Sequence, residues 1–334
     1  MSASMRAAIV GMCGWAGTRH LAAYRELAIP VTHFVDAAPD AEVLGRRLGV
    51  ERVTSIEALA RTRVDVVSVA LPPSMQPQVC RTLLSAGISM LCEKPMAATA
   101  SEAVALASIA SDATLMPAFL LRFHPVYRRM KALIDSGELG ALREIAIDSR
   151  ATKRDVDGWR RDAGSGGAML VNGIHAVDLA HWFCGSDLQV AAAQAEVRFF
   201  AAPVSDCVRA WLSTPGRAHV SLRAQWWPFE DHDADSDHME GWTMRVRVEL
   251  DDAVLIQTYN GLRILGRDAK GRFELMNAPN LFAEEVRHFM QSVDEGAPPC
   301  VTAGDNARAQ ATVERILEMA NAPAASPACN LEEA

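Results

Sequence analysis

A short apolar run, Ala7 to Val10, ends abruptly in Gly11-Met12-Cys13-Gly14-Trp15-Ala16-Gly17 and passes at once into a helical pattern. No other feature restricts the chain as much. A strand that turns through glycines into a helix sets unsatisfied amides and the positive end of a helix dipole at the edge of a sheet. It also lets another molecule approach bare backbone. Such a turn is a cradle for a phosphate, and in this setting for the pyrophosphate of a dinucleotide, held by Gly11, Gly14, Trp15 and Ala16. The spacing is G-x-x-G-x-x-G, one residue longer than the usual dinucleotide loop, so taken alone the loop reads equally as a tight structural turn.

The context favours the cradle. Val31 to Val35, Val64 to Leu71 and Ser89 to Cys92 are further β-type runs separated by helical patterns, the rhythm of a parallel sheet covered on both faces. Pro72 and Pro73 force the chain out of that sheet at the carboxyl end of a strand, where open α/β sheets bind ligands. Asp36 closes the second strand, 22 residues beyond Gly14, and can accept the ribose hydroxyls of an adenosine. Ala37, Ala38 and Pro39 offer no immediate Arg or Ser for a 2′-phosphate, so the expected cofactor is NAD, with NADP as the second choice. A turn or helix-cap role is the alternative for Asp36.

From about residue 187 the signals become antiparallel. Asp206 to Ser213 and Ala218 to Trp227 flank the turn-former Thr214-Pro215-Gly216-Arg217, and Thr243 to Leu250 alternates polar and apolar residues. Two helices, Phe282 to Asp294 and Asn306 to Asn321, close the pattern. A chain of 334 residues exceeds one core, which predicts two domains, residues 1–121 and 122–334, with the last helices packing back on the first. The fold class is α/β, a parallel nucleotide-binding layer followed by a mostly antiparallel one.

Composition excludes other partners. With 33 basic against 41 acidic residues and a net charge of −8, no basic stripe exists to neutralise phosphates, so neither nucleic acid nor an anionic membrane is expected. The seven cysteines never form C-x-x-C and read as thiols of a reducing cytoplasm, not as disulfides or a metal site. A small-molecule partner remains.

Beyond the fourth strand stands Cys92-Glu93-Lys94-Pro95, and further on Gly164-Ser165-Gly166-Gly167-Ala168-Met169-Leu170-Val171-Asn172-Gly173-Ile174-His175-Ala176-Val177-Asp178. With the glycine loop, the Pro72-Pro73 turn, Arg122-Phe123-His124-Pro125 and Trp159, these resemble the glucose-fructose oxidoreductase and inositol dehydrogenase (Gfo/Idh/MocA) family over nearly the whole chain. The resemblance implies a Rossmann domain, a C-terminal open sheet that often makes a homodimer or homotetramer contact, and hydride transfer between nicotinamide and a hydroxyl-bearing carbon of a sugar or cyclitol. It implies that Pro72, Glu93, Lys94 and Arg122 border the cofactor, and that the Lys94–Pro95 bond is cis.

Lys94 would handle the substrate proton, its pKa drawn down by desolvation and a cationic nicotinamide. His175 is the second proton-handling candidate. On a helix expected from about Gly167 to Phe183, Asn172, His175 and Asp178 recur every three residues and share a side, so Asp178 would bind a substrate hydroxyl or orient the imidazole. His124 and Trp159 would also touch substrate, although His124 beside Pro125 equally suits a helix start. Trp226-Trp227 reads as a sugar platform or as core, and the His232 to His238 segment as a metal loop or, better, a solvated one. One departure stands out: the family's Asp four residues before the histidine is Val171 here, and Asn172 cannot accept a proton. The proton route would then run through Lys94 and His175 alone. A reductase of a non-sugar carbonyl or imine, or a non-catalytic NAD-sensing regulator, are the competing readings.

Overall fold

The computed structural model describes residues 5–322 except 110, 154, 155, 157, 163, 164, 201, 202, 230–236, 240, 259 and 268–270. The segment suggested above as a metal or solvated loop falls largely outside them.

The first layer is built from β1 (Ala7–Val10), α1 (Trp15–Glu26), β2 (Val31–Val35), α2 (Ala41–Leu48), β3 (Glu51–Arg52), α3 (Ile56–Leu59), β4 (Val66–Val69), α4 (Gln76–Ser85), β5 (Ser89–Cys92), α5 (Ala100–Ala107) and β6 (Leu115–Pro117). Its strands lie in the order β3-β2-β1-β4-β5-β6, all parallel. The order reverses between β1 and β4, which opens a crevice at the strands' carboxyl ends. β1, β4 and β5 are buried at every position, as expected of strands covered on both faces. The run from Val64 to Leu71 yields a strand of only four residues, because Pro72 and Pro73 end the ladder. Two edge strands, β3 of two residues and β6 of three, are too short to show a period in the sequence.

A 3-10 turn, Leu120–Phe123, and α6 (Pro125–Ser136) lead to the second layer. This comprises β7 (Leu142–Thr152), a π turn at Met169–Gly173, α7 (Ile174–Cys184), β8 (Gln189–Glu196), β9 (Cys207–Ser213), β10 (His219–Trp227), β11 (Asp237–Met239), β12 (Trp242–Leu250), β13 (Ala253–Thr258), β14 (Gly261–Gly266) and β15 (Gly271–Leu275). The sheet runs β15-β14-β13-β12-β7-β10-β9-β8, antiparallel except where β7 and β10 lie parallel, and β11 pairs with β12. The sequence reading began this sheet near residue 187, whereas its central strand enters at Leu142. The charged residues Glu144, Asp148 and Arg150 alternate with a buried row, Ile145, Ile147, Ser149 and Ala151, and make β7 one-sided.

The chain ends with α8 (Leu281–Glu295) and α9 (Ala303–Asn321), which return to the first layer. Thr302 and Asp305 form a capping box at the start of α9. Gln310 donates to the Ala97 carbonyl at 3.0 Å, and Glu314 accepts from the Ala100 amide at 2.5 Å.

The layers are also joined by a buried ion pair. Arg122, on the 3-10 turn, donates to both carboxylate oxygens of Asp178 on α7, at 2.9 and 2.5 Å, and lies 3.5 Å from Asp305 on α9. Burial opposes the guanidinium charge, but the two carboxylates outweigh it and raise its pKa. Burial likewise pulls Asp178 upward against the guanidinium, and the two-pronged contact keeps the pair ionised. Removing one partner strands a buried charge. Asp178→Asn is therefore expected to cost about 3–5 kcal/mol in urea unfolding, while the double variant Arg122→Met/Asp178→Leu regains most of it. A loss below about 1 kcal/mol for Asp178→Asn, the range of an exposed pair, would contradict this role.

Candidate active site

Four strand ends meet along the crevice. At the end of β1, Gly11 has φ +83°, and a Cβ there would stand 2.3 Å from the Ala70 carbonyl oxygen on the neighbouring strand. A Cβ on Gly17 would stand 2.1 Å from the Gly11 oxygen. Both glycines are demanded by the chain itself. Gly14 is not: its φ is −75°, and a Cβ there would approach only the Gly11 oxygen, at 3.4 Å. It caps α1 without a side chain, and no acidic residue occupies the first helical turn. A glycine that neither conformation nor packing requires, beside uncapped amides, leaves room for an anion from outside the chain. Trp15 is exposed next to it, with Phe282 edge-on at 5.9 Å and Arg19 over its ring at 4.0 Å, and Ala16 is half-buried.

Asp36, at the end of β2, accepts from the Cys13 amide at 2.7 Å and from the Ala38 amide at 2.8 Å. Its turn-making role is thus realised, and its carboxylate is fastened to the glycine loop. Burial and this carboxylate together push the Cys13 thiol up to about 11. The sequence showed no arginine near Asp36, but the fold supplies one: Arg52 on β3 donates to the Asp36 carbonyl at 3.0 and 3.3 Å. Pairing of parallel strands brought it there, which local sequence does not show.

Beyond β5, Glu93 accepts from the Lys94 amide at 3.2 Å and lies 3.1 Å from His20 Nε2. The Lys94–Pro95 peptide is cis. Lys94 reaches across the crevice and donates to the Val171 carbonyl at 2.9 Å, within the π turn that precedes α7. Its pKa falls to about 8, chiefly because protein encloses the ammonium; Glu93 and Glu285 oppose this, while Arg160 and Lys153 add to it.

The residue four positions after Val171 is His175. It is buried, with Phe119 edge-on at 5.8 Å and Trp242 at 4.8 Å, and its Nδ1 has no hydrogen-bond partner among the described residues. Burial first, and then the charge on Lys94, hold its pKa well below the ordinary value, so the imidazole is neutral near pH 7. Lys94 and His175 therefore converge from two layers on one turn of chain.

The helix expected from about Gly167 to Phe183 is present as a continuous helical run that takes a π turn at Met169–Gly173. Other expectations are corrected. Asp178 is paired through both of its oxygens with Arg122, not with the imidazole of His175. Arg122 in turn is buried in that pair and donates to the Cys300 carbonyl at 3.3 Å. His124 is buried and accepts from the Val126 amide at the start of α6, the helix-start alternative. Asn172 accepts from the indole of Trp226 at 3.0 Å, and Trp226 is core, not a sugar platform. Trp159 packs against the cluster that holds Val156, Val171 and Trp226, beside the carbonyl that receives Lys94. Phe119 and Trp242, which flank the imidazole, carried no signal in the sequence.

Comparison with known proteins matches residues 5–118 to the oxidoreductase family with an NAD-binding Rossmann fold and residues 127–250 to the GFO/IDH/MocA C-terminal domain. The chain belongs to the GFO/IDH/MocA oxidoreductase family. It is 31% identical over 272 residues to a putative UDP-kanosamine synthase oxidoreductase subunit of Amycolatopsis mediterranei, covering 71% of this chain and 73% of that one. It is 28% identical to D-xylose 1-dehydrogenase (NADP(+)) 2 of Haloferax volcanii, covering 81% and 83%. Among solved structures, levoglucosan dehydrogenase in complex with NADH superposes with a TM-score of 0.84 at 17% identity, covering 95% of this chain and 96% of that one, which speaks for the fold.

For a GFO/IDH/MocA member the unforced Gly14 is the telling position. Gly14→Ala is expected to weaken NAD binding by about tenfold or more in calorimetry while leaving the urea midpoint near wild type. Gly17→Ala is expected to lower the midpoint. Wild-type NAD affinity in Gly14→Ala would remove the cradle from this loop.

Proposed function

We propose that this GFO/IDH/MocA enzyme interconverts a secondary alcohol and its carbonyl form in a sugar, cyclitol or related polyol, with Lys94 carrying the hydroxyl proton and His175 beside it. The observation that carries the reading is the enclosed Lys94 ammonium, bonded one turn ahead of a neutral, buried imidazole. A bound nicotinamide supplies the two-electron acceptor for the carbon-bound hydrogen, and the chain supplies the rest.

In the oxidising direction neutral Lys94 accepts the hydroxyl proton, and the resulting ammonium is held by the Val171 carbonyl. In the reducing direction the same ammonium returns it. His175, kept uncharged, offers a hydrogen bond to the reacting oxygen without competing for the proton at neutral pH. Trp159 walls the crevice beside Val171, and Asn172, fixed through its oxygen by Trp226, offers amide hydrogens to a further hydroxyl.

Glu93 would border the cofactor next to Lys94, with Pro72 closing the crevice at the end of β4. Asp36 favours NAD, since its carboxylate accepts ribose hydroxyls and repels a 2′-phosphate, although Arg52 makes NADP a workable second cofactor. The names of relatives, among them D-xylose 1-dehydrogenase, inositol 2-dehydrogenase and levoglucosan dehydrogenase, support a sugar-like substrate. A second reading, reduction of a non-sugar carbonyl or imine, is favoured by the apolar surroundings of Val171. Retention of Lys94 and His175 speaks against a purely NAD-sensing regulator.

The outer face of the second sheet, with Trp211 exposed among Asp148, Arg209, Arg223 and Arg245, is the surface on which we place a homodimer or homotetramer contact. No described helix is long and apolar enough to cross a membrane. We place the two domains at residues 1–121 and 122–334, a division supported by the change of sheet between β6 and β7.

Reduced-nicotinamide absorbance with D-xylose, inositol and levoglucosan tests the reading. Lys94→Ala is expected to lower turnover by about 10²–10⁴ with NAD binding retained. Because the base must be uncharged, kcat/KM for oxidation should rise with pH through about 8, and the reductive rate should fall there. A Lys94→Ala enzyme as fast as wild type would falsify the assignment, and stronger use of NADP than NAD would overturn the reading of Asp36.

A further inference from the structure

Gln76 is the first residue of α4, reached directly from the Pro72-Pro73 turn, and it is fully buried. Its Nε2 donates to the Glu93 carbonyl at 2.8 Å and to the Pro95 carbonyl at 2.7 Å. These two carbonyls stand on either side of Lys94. Only the amide nitrogen can face both of them, because a turned carboxamide would set its oxygen against two other oxygens. Its Oε1 is left for the Cys92 thiol at 3.5 Å. One side chain from the start of α4 thus clasps the backbone beyond the end of β5, and both of its hydrogens are used around a single residue.

We propose that Gln76 is a positioning residue for the reaction, its carboxamide setting the direction in which Lys94 enters the crevice. The inference rests on Lys94 being the group that carries the substrate proton. Lys94 bends across the crevice from a tripeptide that is no longer part of a strand, so its aim is only as firm as the anchoring of that tripeptide. The Glu93 amide bonds the Val69 carbonyl at 2.8 Å, and the Met96 amide reaches Asn306 at 3.4 Å; the Pro95 carbonyl is left to Gln76, and the Glu93 carbonyl is held by Gln76 with the weaker Cys92 thiol at 3.6 Å beside it. Buried carbonyls without a donor would turn toward water or another partner and carry the lysine with them.

The environment of Lys94 reports such a turn. Glu93 at the end of β5, Arg160 and Lys153 beyond β7, His175 on α7 and Glu285 on α8 are the ionisable groups that act on it, with His20 on α1 behind Glu93. Glu285 is fully buried, and neither of its oxygens has a hydrogen-bond partner among the described residues; burial and then Glu93 raise its pKa well above the ordinary range. Gln76 itself is uncharged, so replacing it with another uncharged side chain changes the ammonium's enclosure and adds no charge of its own.

The chain has four lysines, Lys94, Lys131, Lys153 and Lys270, few enough for each to be followed by peptide mass spectrometry after competitive acetylation with acetic anhydride across a pH series. In wild type, Lys94 is expected to titrate near 8. In Gln76→Met it should move upward by about one pH unit toward an ordinary lysine, with the other lysines unmoved. Gln76→Asn, whose shorter amide reaches one carbonyl at most, should fall between. The NAD dissociation constant should stay within about threefold of wild type, and turnover, which Lys94→Ala lowers by about 10²–10⁴, should fall about 10- to 100-fold in Gln76→Met. An unmoved Lys94 in a folded Gln76→Met protein overturns the proposal, even if Lys94→Ala is inactive. Loss of NAD binding equal to the loss of turnover also overturns it, since that is general disruption of the crevice. If both variants fail to fold, a crystal structure of the wild-type holoenzyme decides: both bonds from Gln76 must be present, and a carboxamide turned away from either carbonyl refutes the assignment.

Discussion

An ammonium group that has left most of its water and found a backbone carbonyl on the opposite wall is the contact around which this molecule is organised. Lys94 belongs to the first layer and Val171 to the second, so their 2.9 Å bond spans the crevice between the two sheets. Enclosure costs a charged amine far more than a neutral one. Burial accordingly lowers the lysine's pKa to about 8, so the uncharged amine comes within reach of neutral pH. Burial first, and then the charge on Lys94, hold the pKa of the neighbouring imidazole well below its ordinary value. Two groups that each lose solvation on folding thereby act on one another across the layers.

The remaining cross-layer contacts hold that geometry. The Arg122–Asp178 pair locks α7 to the turn after β6, three residues beyond His175 on the same helix. The last two helices then pack against α1 and α5, so the second layer cannot swing from the first without exposing them. Function and stability share elements here, and substitutions at Asp178 are expected to change both through the placement of α7.

The elements were most legible where period and punctuation agree. β1, β2 and β5 follow from apolar runs bounded by glycine, aspartate or the Glu93-Lys94-Pro95 turn, and the hairpin of β9 and β10 from its turn residues. β7 escaped because its charged residues dilute an alternation that becomes plain only once its partner strands are known. Site residues divided in a similar way. Lys94 and His175 sit in motifs whose spacing can be read along the chain. Arg52, Phe119, Gln76 and Trp242 come to the crevice through strand pairing or through loops far away in sequence, and no local pattern announces them. Asp178 misled for the opposite reason. Its spacing from His175 was right for a shared face, but a buried arginine 56 residues earlier had the stronger claim on its carboxylate.

Whether the two layers bring an amine and an imidazole together is open to direct observation without any substrate. The imidazole of His175, assigned in a nitrogen-labelled sample by difference from His175→Gln, can be titrated by NMR in the intact protein and again with Lys94 replaced by methionine. It should protonate well below the ordinary histidine range in the first and at a distinctly higher pH in the second, because the cation that opposes its charge has been removed. An imidazole that titrates near the ordinary value, or one that does not register the loss of Lys94, would mean that the two side chains do not share a site.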